Sequence, residues 1–238
     1  MLTLFFVEDL PTTVGATYEF DGEDAFHAVK VLRIAAGEIF NLSDGKGGWA
    51  RVNVLNVNKK SMSVKVLETG FEEALARHFT IIQAIPKGDR IKESIEMSTE
   101  GGADRIVMWK AARSIGRADE KIEKLQQTAR EASKQSRRFR IPMIAGVATT
   151  ENIVDEIAKV DLALVFHESA AMRISQVVTP QAKKVAIIIG PEGGLTDQEL
   201  ETFAAAGAKV VLMGRPILRS AHAGLAALAA VNTALSVW

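Results

Sequence analysis

The feature that most limits how this chain can fold is a series of short, nearly unbroken apolar runs in its last two thirds. FTIIQAI (79–85), RIVMW (105–109), PMIAGV (142–147), LALVF (162–166), VAIIIG (185–190) and KVVLMG (209–214) lack the polar alternation of a half-exposed strand. A strand that is apolar on both faces has to be covered on both faces, and a parallel sheet with helices on each side does this. Between the runs lie helical stretches, among them DRIKESIEMSTEGG (89–102), which ends on a glycine pair, and DEKIEKLQQTAREASKQS (119–136). The expected class is α/β.

Residues 1 to about 70 follow a different rhythm. LTLFFV, EIFNL, WARVNVL and SMSVKVL read as strands, and DAFHAVKVLR as one short helix. SDGKGG (43–48) supplies turn chemistry between two of the strands, because Asp-Gly and Gly-Gly tolerate positive φ. These elements predict a small barrel-like module. EEALARH (72–78) is the linker, which puts the domain boundaries at 1–71 and 77–238.

Composition excludes several chemistries. With no cysteine, disulfides, thiolate metal ligands and cysteine nucleophiles are impossible. MLTLFFVEDLP has no basic lead and is broken by Glu8 and Asp9, and no uncharged apolar stretch reaches the roughly 18 residues of a spanning helix. A cytosolic protein with no membrane partner is expected. The formal net charge of zero conceals an uneven distribution, for residues 109–142 hold ten basic and four acidic side chains. Backbone phosphates respond to such a local field, although a solvated helix face explains it equally well.

Neither G-x-G-x-x-G after a strand nor a Walker-type phosphate loop is present. The strongest local feature is VAIIIGPEGGLTDQEL (185–200). A buried strand ends at Gly190, Pro191-Glu192-Gly193-Gly194 turns the chain, and Thr196 with Glu199 forms a capping box for a helix. Gly193 and Gly194 remove side chains where a ligand would meet backbone, and strand ends of this kind form the ligand crevice of open α/β sheets. In KVVLMGRPILRS (209–220) another strand ends at Gly214, followed by Arg215, Pro216 and Arg219, with Ser220 able to cap the next helix.

These two stretches, IGPEGGLTDQELE and LMGRPILRSAHAGLAAL, resemble the signature of the SPOUT superfamily, and within it the RsmE family of bacterial 16S ribosomal RNA uridine-N3 methyltransferases. VKVLRIAAGEIFNLSDGKGG (29–48), PKGDRIKESIEMSTEGGADRIV (86–107) and AREASKQSRRFRIPMI (129–144) agree in the same order, so the resemblance spans nearly the whole chain. It implies an N-terminal PUA-like β-barrel that binds RNA and a C-terminal SPOUT α/β domain with a trefoil knot, acting as a homodimer without a metal. It also implies S-adenosyl-L-methionine bound against three loops. By position these hold His167 and Glu168, then Ile189, Gly190, Pro191, Glu192, Gly193 and Gly194, then Leu212, Gly214, Ile217 and Leu218. The family's usual G-P-R-I-L-R-T-E-T-A reads here Gly214-Arg215-Pro216-Ile217-Leu218-Arg219-Ser220-Ala221-His222-Ala223. Arg219 carries over; the role of the family's glutamate does not, because Ala221 cannot perform it.

For methylation of uracil N3, a donor on the flanking carbonyls stabilises the anion that develops as the proton leaves. Arg219 is the first candidate for that donor and Glu192 for the base or orienting acceptor. His222 is a further catalytic candidate and Trp49 a possible base-stacking platform. Candidate RNA contacts are His27, Arg33 and Lys46 in the first module and Arg130, Lys134, Arg137, Arg138 and Arg140 in the basic segment. The uncharged C-terminal stretch AHAGLAALAAVNTALSVW is apolar on nearly all faces, so a partner subunit is expected to cover part of it. The alternatives are a SPOUT ribose 2′-O-methyltransferase and a non-catalytic RNA-binding ribosome assembly factor.

Overall fold

The computed structural model describes residues 2–88, 90–116 and 121–238. The chain forms two compact units, Met1–Ala74 with Ser133–Ile141, and Leu75–Ala132 with Pro142–Trp238. The sequence boundaries therefore need a correction, since a short piece from the middle of the chain belongs to the first unit. Gly47 N–H donates to the Phe139 carbonyl at 3.0 Å and Ile141 N–H to that of Gly45 at 2.9 Å. Lys134 Nζ pairs with Asp24 Oδ1 at 2.8 Å. These ties join residues far apart in sequence, which is why no local pattern announces them.

The first unit contains β1 (Leu4–Phe6), β2 (Thr17–Phe20), α1 (Gly22–Lys30), β3 (Ile39–Ser43), β4 (Gly48–Val57) and β5 (Met62–Phe71). The sheet order is β1-β3-β4-β5-β2. In a flat sheet β1 and β2 would stand about 19 Å apart, four strand spacings. Yet the rings of Phe5 on β1 and Phe20 on β2 are 5.3 Å apart, and both touch Phe40 on β3. The sheet is curled until its ends meet over an aromatic core, the half-barrel form of the expected module. β4 alternates buried and part-exposed residues from Gly48 to Val54, as a strand with one face on this core should. β2 has only Phe20 buried, so it lacks the pattern by which the other strands were legible. Trp49 does not offer a free stacking face. Its ring lies against Phe139, with centroids 5.7 Å apart and planes at 18°, and a Cβ on Gly70 would stand 2.4 Å from it.

The second unit contains β6 (His78–Ala84), α2 (Arg90–Glu100), β7 (Arg105–Trp109), all but the last turn of α3 (Ile122–Gln135), β8 (Met143–Ala148), α4 (Thr150–Ile157), β9 (Leu162–Phe166), β10 (Met172–Arg173), α5 (Ile174–Val177), β11 (Lys184–Ile189), α6 (Asp197–Ala205), β12 (Lys209–Leu212) and α7 (Ser220–Ala234). Its sheet, ordered β10-β12-β9-β11-β6-β7-β8, is parallel throughout. Val185 to Ile189 of β11 are all buried, as the unbroken apolar runs predict. Ile82, Val107, Trp109, Val165, Ile188 and Phe203 belong to one core cluster. At the start of β11 the Asp161 carboxylate accepts the N–H groups of Lys184 and Lys183 at 2.8 and 2.9 Å. Those two bonds hold its pKa below the usual carboxylate value.

After β12 the chain returns across the sheet, and α7 packs against α2, β6 and β11. Ala221, Gly224, Ala227, Leu228 and Val231 are buried within the chain, so one face of α7 finds its cover there. Ala226, Ala229 and Ala230 remain half-buried. No helix among the described residues is long and apolar enough to cross a membrane.

Candidate functional site

Because β9, β11 and β12 run parallel and adjacent, their C-terminal ends stand side by side. The loops that leave them surround one cavity of about 620 Å³. His167 and Glu168 follow β9, Gly190 to Leu195 follow β11, and Met213 to Ser220, apart from Arg215, follow β12 along its wall. Every residue that the sequence places at the cofactor, together with Arg219 and Glu192, lines this cavity.

The loop after β11 is shaped by its own chemistry. Gly194 N–H closes a turn on the Pro191 carbonyl at 3.0 Å, and Gly194 has φ +72°, the left-handed region that favours glycine. Gly193 meets protein: a Cβ there would stand 3.0 Å from that of Arg113. Thr196 caps α6 in the expected capping box with Glu199. Glu199 does more than cap. It is buried, Oε2 accepts from Thr196 N–H and Oγ1, and Oε1 accepts from Ala112 N–H at 2.8 Å. The loop after β7 is thereby fixed beside the cavity, and Arg113 Nη1 donates to the carbonyls of Gly193 and Leu195 at 3.2 and 3.3 Å. Arg113 lines the cavity, and the sequence reading missed it. Its only signal was membership of the basic segment, whereas its place is set by pairings across the sheet.

Glu192 Oε1 accepts from Lys87 N–H at 3.2 Å and pairs with Arg90 Nη1 at 3.5 Å, so it enters the site as an engaged acceptor. Arg219 is exposed, and its side chain has no hydrogen-bond or ion-pair partner among the described residues. It is also the N-cap residue of α7, without a side-chain cap. The expectation that Ser220 caps this helix is corrected, because Ser220 is its first residue and its hydroxyl donates to the Gly190 carbonyl. His167 Nδ1 accepts from Ser169 N–H at 3.3 Å and lies 2.8 Å from the Ser169 hydroxyl. His222, proposed from sequence as a catalytic candidate, does not line the cavity; its Nε2 lies 3.1 Å from Glu93 Oε1 on α2.

The candidate RNA contacts are divided between the units. His27, Arg33, Lys46, Lys134, Arg137, Arg138 and Arg140 belong to the first, and Arg130 to the second. Arg33 and Lys46 are exposed. Lys134, offered as a phosphate contact, has its charge matched by Asp24, and their side chains are only 11% and 9% exposed. Arg140 donates through Nε and Nη2 to the Glu72 carbonyl and lies over the Phe71 ring. Arg130 pairs with Glu131 at 3.5 Å, and Arg137 donates to the Lys134 carbonyl. Much of the basic segment thus has partners within the protein.

Residues 73–232 match the family described as an RNA methyltransferase domain, and residues 20–67 an RNA methyltransferase PUA domain. The chain is 37% identical to the ribosomal RNA small subunit methyltransferase E of Mycobacterium bovis, over 99% of this chain and 93% of that protein. With the Bacillus subtilis protein of the same name it shares 29%, over 95% and 91%. The crystal structure of the Neisseria gonorrhoeae ribosomal RNA small subunit methyltransferase E bound to S-adenosyl methionine superposes with a TM-score of 0.86 at 26% identity, covering 98% of each chain.

Proposed function

The chain belongs to the ribosomal RNA small subunit methyltransferase E family, and from that premise we propose that it moves a methyl group from S-adenosylmethionine to N3 of a uridine in 16S ribosomal RNA. The observation that carries this reading is the convergence of three strand-end loops on one cavity, with Arg219, which has no side-chain partner among the described residues, at its wall.

The cavity suits the cofactor. Its volume is ordinary for a small-molecule site, and it joins apolar walls (Phe166, Ile189, Leu212, Ile217 and Leu218) to the backbone of a glycine-rich turn. Glu168 and Glu192 bring negative charge towards a bound sulfonium. When bound, the cofactor supplies an electrophilic methyl group, and no covalent protein intermediate is needed. The protein's own tasks are to orient the base and manage one proton. Arg219 donates to a uracil carbonyl and favours the developing anion, while Glu192 orients the base as acceptor. A paired uridine hides N3, so the target is unpaired or flipped out.

We also read the protein as a cytoplasmic homodimer whose C-terminal domain carries a trefoil knot. The half-buried alanine row of α7 supports the dimer, and the return of the chain over β11 and β6 supports the knot. Sedimentation velocity of the wild type and Ala230→Arg tests the dimer: the variant should sediment as a monomer. A dimer that survives it removes this face from the interface.

The reaction is tested with radiolabelled S-adenosylmethionine and small ribosomal subunits from a strain that lacks the enzyme, followed by nucleoside mass analysis. Label in 3-methyluridine is expected. Label in a ribose 2′-O-methyl nucleoside would reassign the reaction, and no transfer at all would favour an RNA-binding assembly factor.

A further inference from the structure

Strand β6 carries a polar side chain where its neighbours are apolar. Gln83 is fully buried near the end of HFTIIQA, between Ile82 and Ala84. Its partners fix the orientation of its amide. Nε2 donates to the Ala84 carbonyl and to Ser220 Oγ, both at 2.9 Å. The reversed amide would set Oε1 against that carbonyl, acceptor against acceptor. Since Ser220 Oγ accepts from Gln83, its own proton goes to the Gly190 carbonyl, 2.7 Å away. Amide, hydroxyl and carbonyl form one directed chain.

Packing does not require this arrangement. Gln83 Oε1 has no partner among the described residues, a burden that an apolar side chain of similar size would not carry. The close approach of α7 is also specific. A Cβ on Gly224, one turn beyond Ser220, would stand 3.2 Å from Ser98 Oγ and 3.7 Å from Gln83 Oε1. The two ends of the relay are what give it meaning. Gly190 opens the loop after β11, and Ser220 directly follows Arg219; all three line the cavity.

We infer that Gln83 and Ser220 are positioning residues that tie the cofactor loop to Arg219, an inference that rests on Arg219 acting on the target base. The Ser220 hydroxyl holds the start of α7 against the Gly190 carbonyl, and Gln83 holds that hydroxyl from strand β6. The aim of Arg219 and the shape of the cofactor loop are thus set together.

The test uses the full-length protein and Ser220→Ala, Ser220→Thr, Gln83→Leu, Arg219→Ala and the Ser220→Ala/Arg219→Ala double variant. Thermal midpoint, cofactor affinity by calorimetry and the single-turnover rate on saturating small subunits are read for each. Ser220→Ala and Gln83→Leu should slow the single turnover about ten-fold or more, the scale of a misplaced reacting group. Ser220→Thr should restore most of the rate. The double variant should be no slower than Arg219→Ala alone, because Ser220 acts through that arginine. A purely structural role predicts instead that the two rate losses multiply, and that result would overturn the inference. A wild-type rate in Ser220→Ala would do the same. Should that variant not fold, Ser220→Cys keeps the volume, weakens the donor and carries the same comparison. A wild-type rate in Arg219→Ala is a separate outcome: it removes the reading of Arg219, and the coupling to it with it.

Discussion

At the scale of single residues, glycines of one turn serve different ends. Gly193 leaves room for Arg113, whereas Gly194 is demanded by its own backbone at φ +72°. Forcing a β-branched residue into that region costs roughly 1–3 kcal/mol. Gly194→Val is therefore expected to lower the thermal midpoint as well as cofactor affinity; scanning calorimetry and titration calorimetry measure the two. An unchanged midpoint with lost affinity would show that the ligand, not the backbone, requires glycine. The departure at Ala221-His222 also becomes interpretable. Ala221 is 1% exposed and faces the core, and His222 faces Glu93, so neither adds a group to the cavity. Leu228 is likewise a core residue, and a charge there would destabilise the fold without reporting on a partner.

At the scale of elements, side-chain ties help to fix where strands begin. Asp161 anchors the N–H groups of Lys183 and Lys184 where β11 begins, and these bonds lower its pKa. A carboxyl depressed in the folded state contributes stability above its ordinary pKa and loses it as pH falls through the folded value. The gap in thermal midpoint between wild type and Asp161→Asn should be widest at neutral pH and close below the ordinary carboxylate range. A gap that does not change with pH would assign the effect to packing. A contrast between near and far along the chain explains what the sequence disclosed. Strands β6, β7, β9, β11 and β12, the capping box at Thr196 and the loops after β11 and β12 are local patterns, and all were legible, whereas the loop at His167 and Glu168 came from the family resemblance. The edge strand β2 has a single buried residue, and Arg113, Gln83 and the 133–141 segment are placed by partners distant in the chain. Periodicity carries no information about such pairings.

At the scale of the whole molecule, net charge says little about its partner. The exposed cations Arg33 and Lys46 remain available to phosphate, whereas Lys134 is neutralised inside the first unit. Replacing both Arg33 and Lys46 by glutamine should weaken RNA binding and make the slope of log affinity against log salt shallower by about one to two, as two fewer displaced counterions predict. The single-turnover rate at saturating RNA should hold. Filter binding across a salt series reads the slope, and an unchanged slope would move the phosphate contacts elsewhere.

The path of the chain between the two units carries a consequence for its synthesis. The first unit uses residues up to Ala74 and then waits for Ser133–Ile141, with part of the second unit's sequence in between. While the nascent chain lacks that segment, Asp24 has no Lys134 and Trp49 has no Phe139 to cover it. The N-terminal module therefore matures only after more than half of the protein has left the ribosome. A fragment that ends at the linker lacks one of its walls.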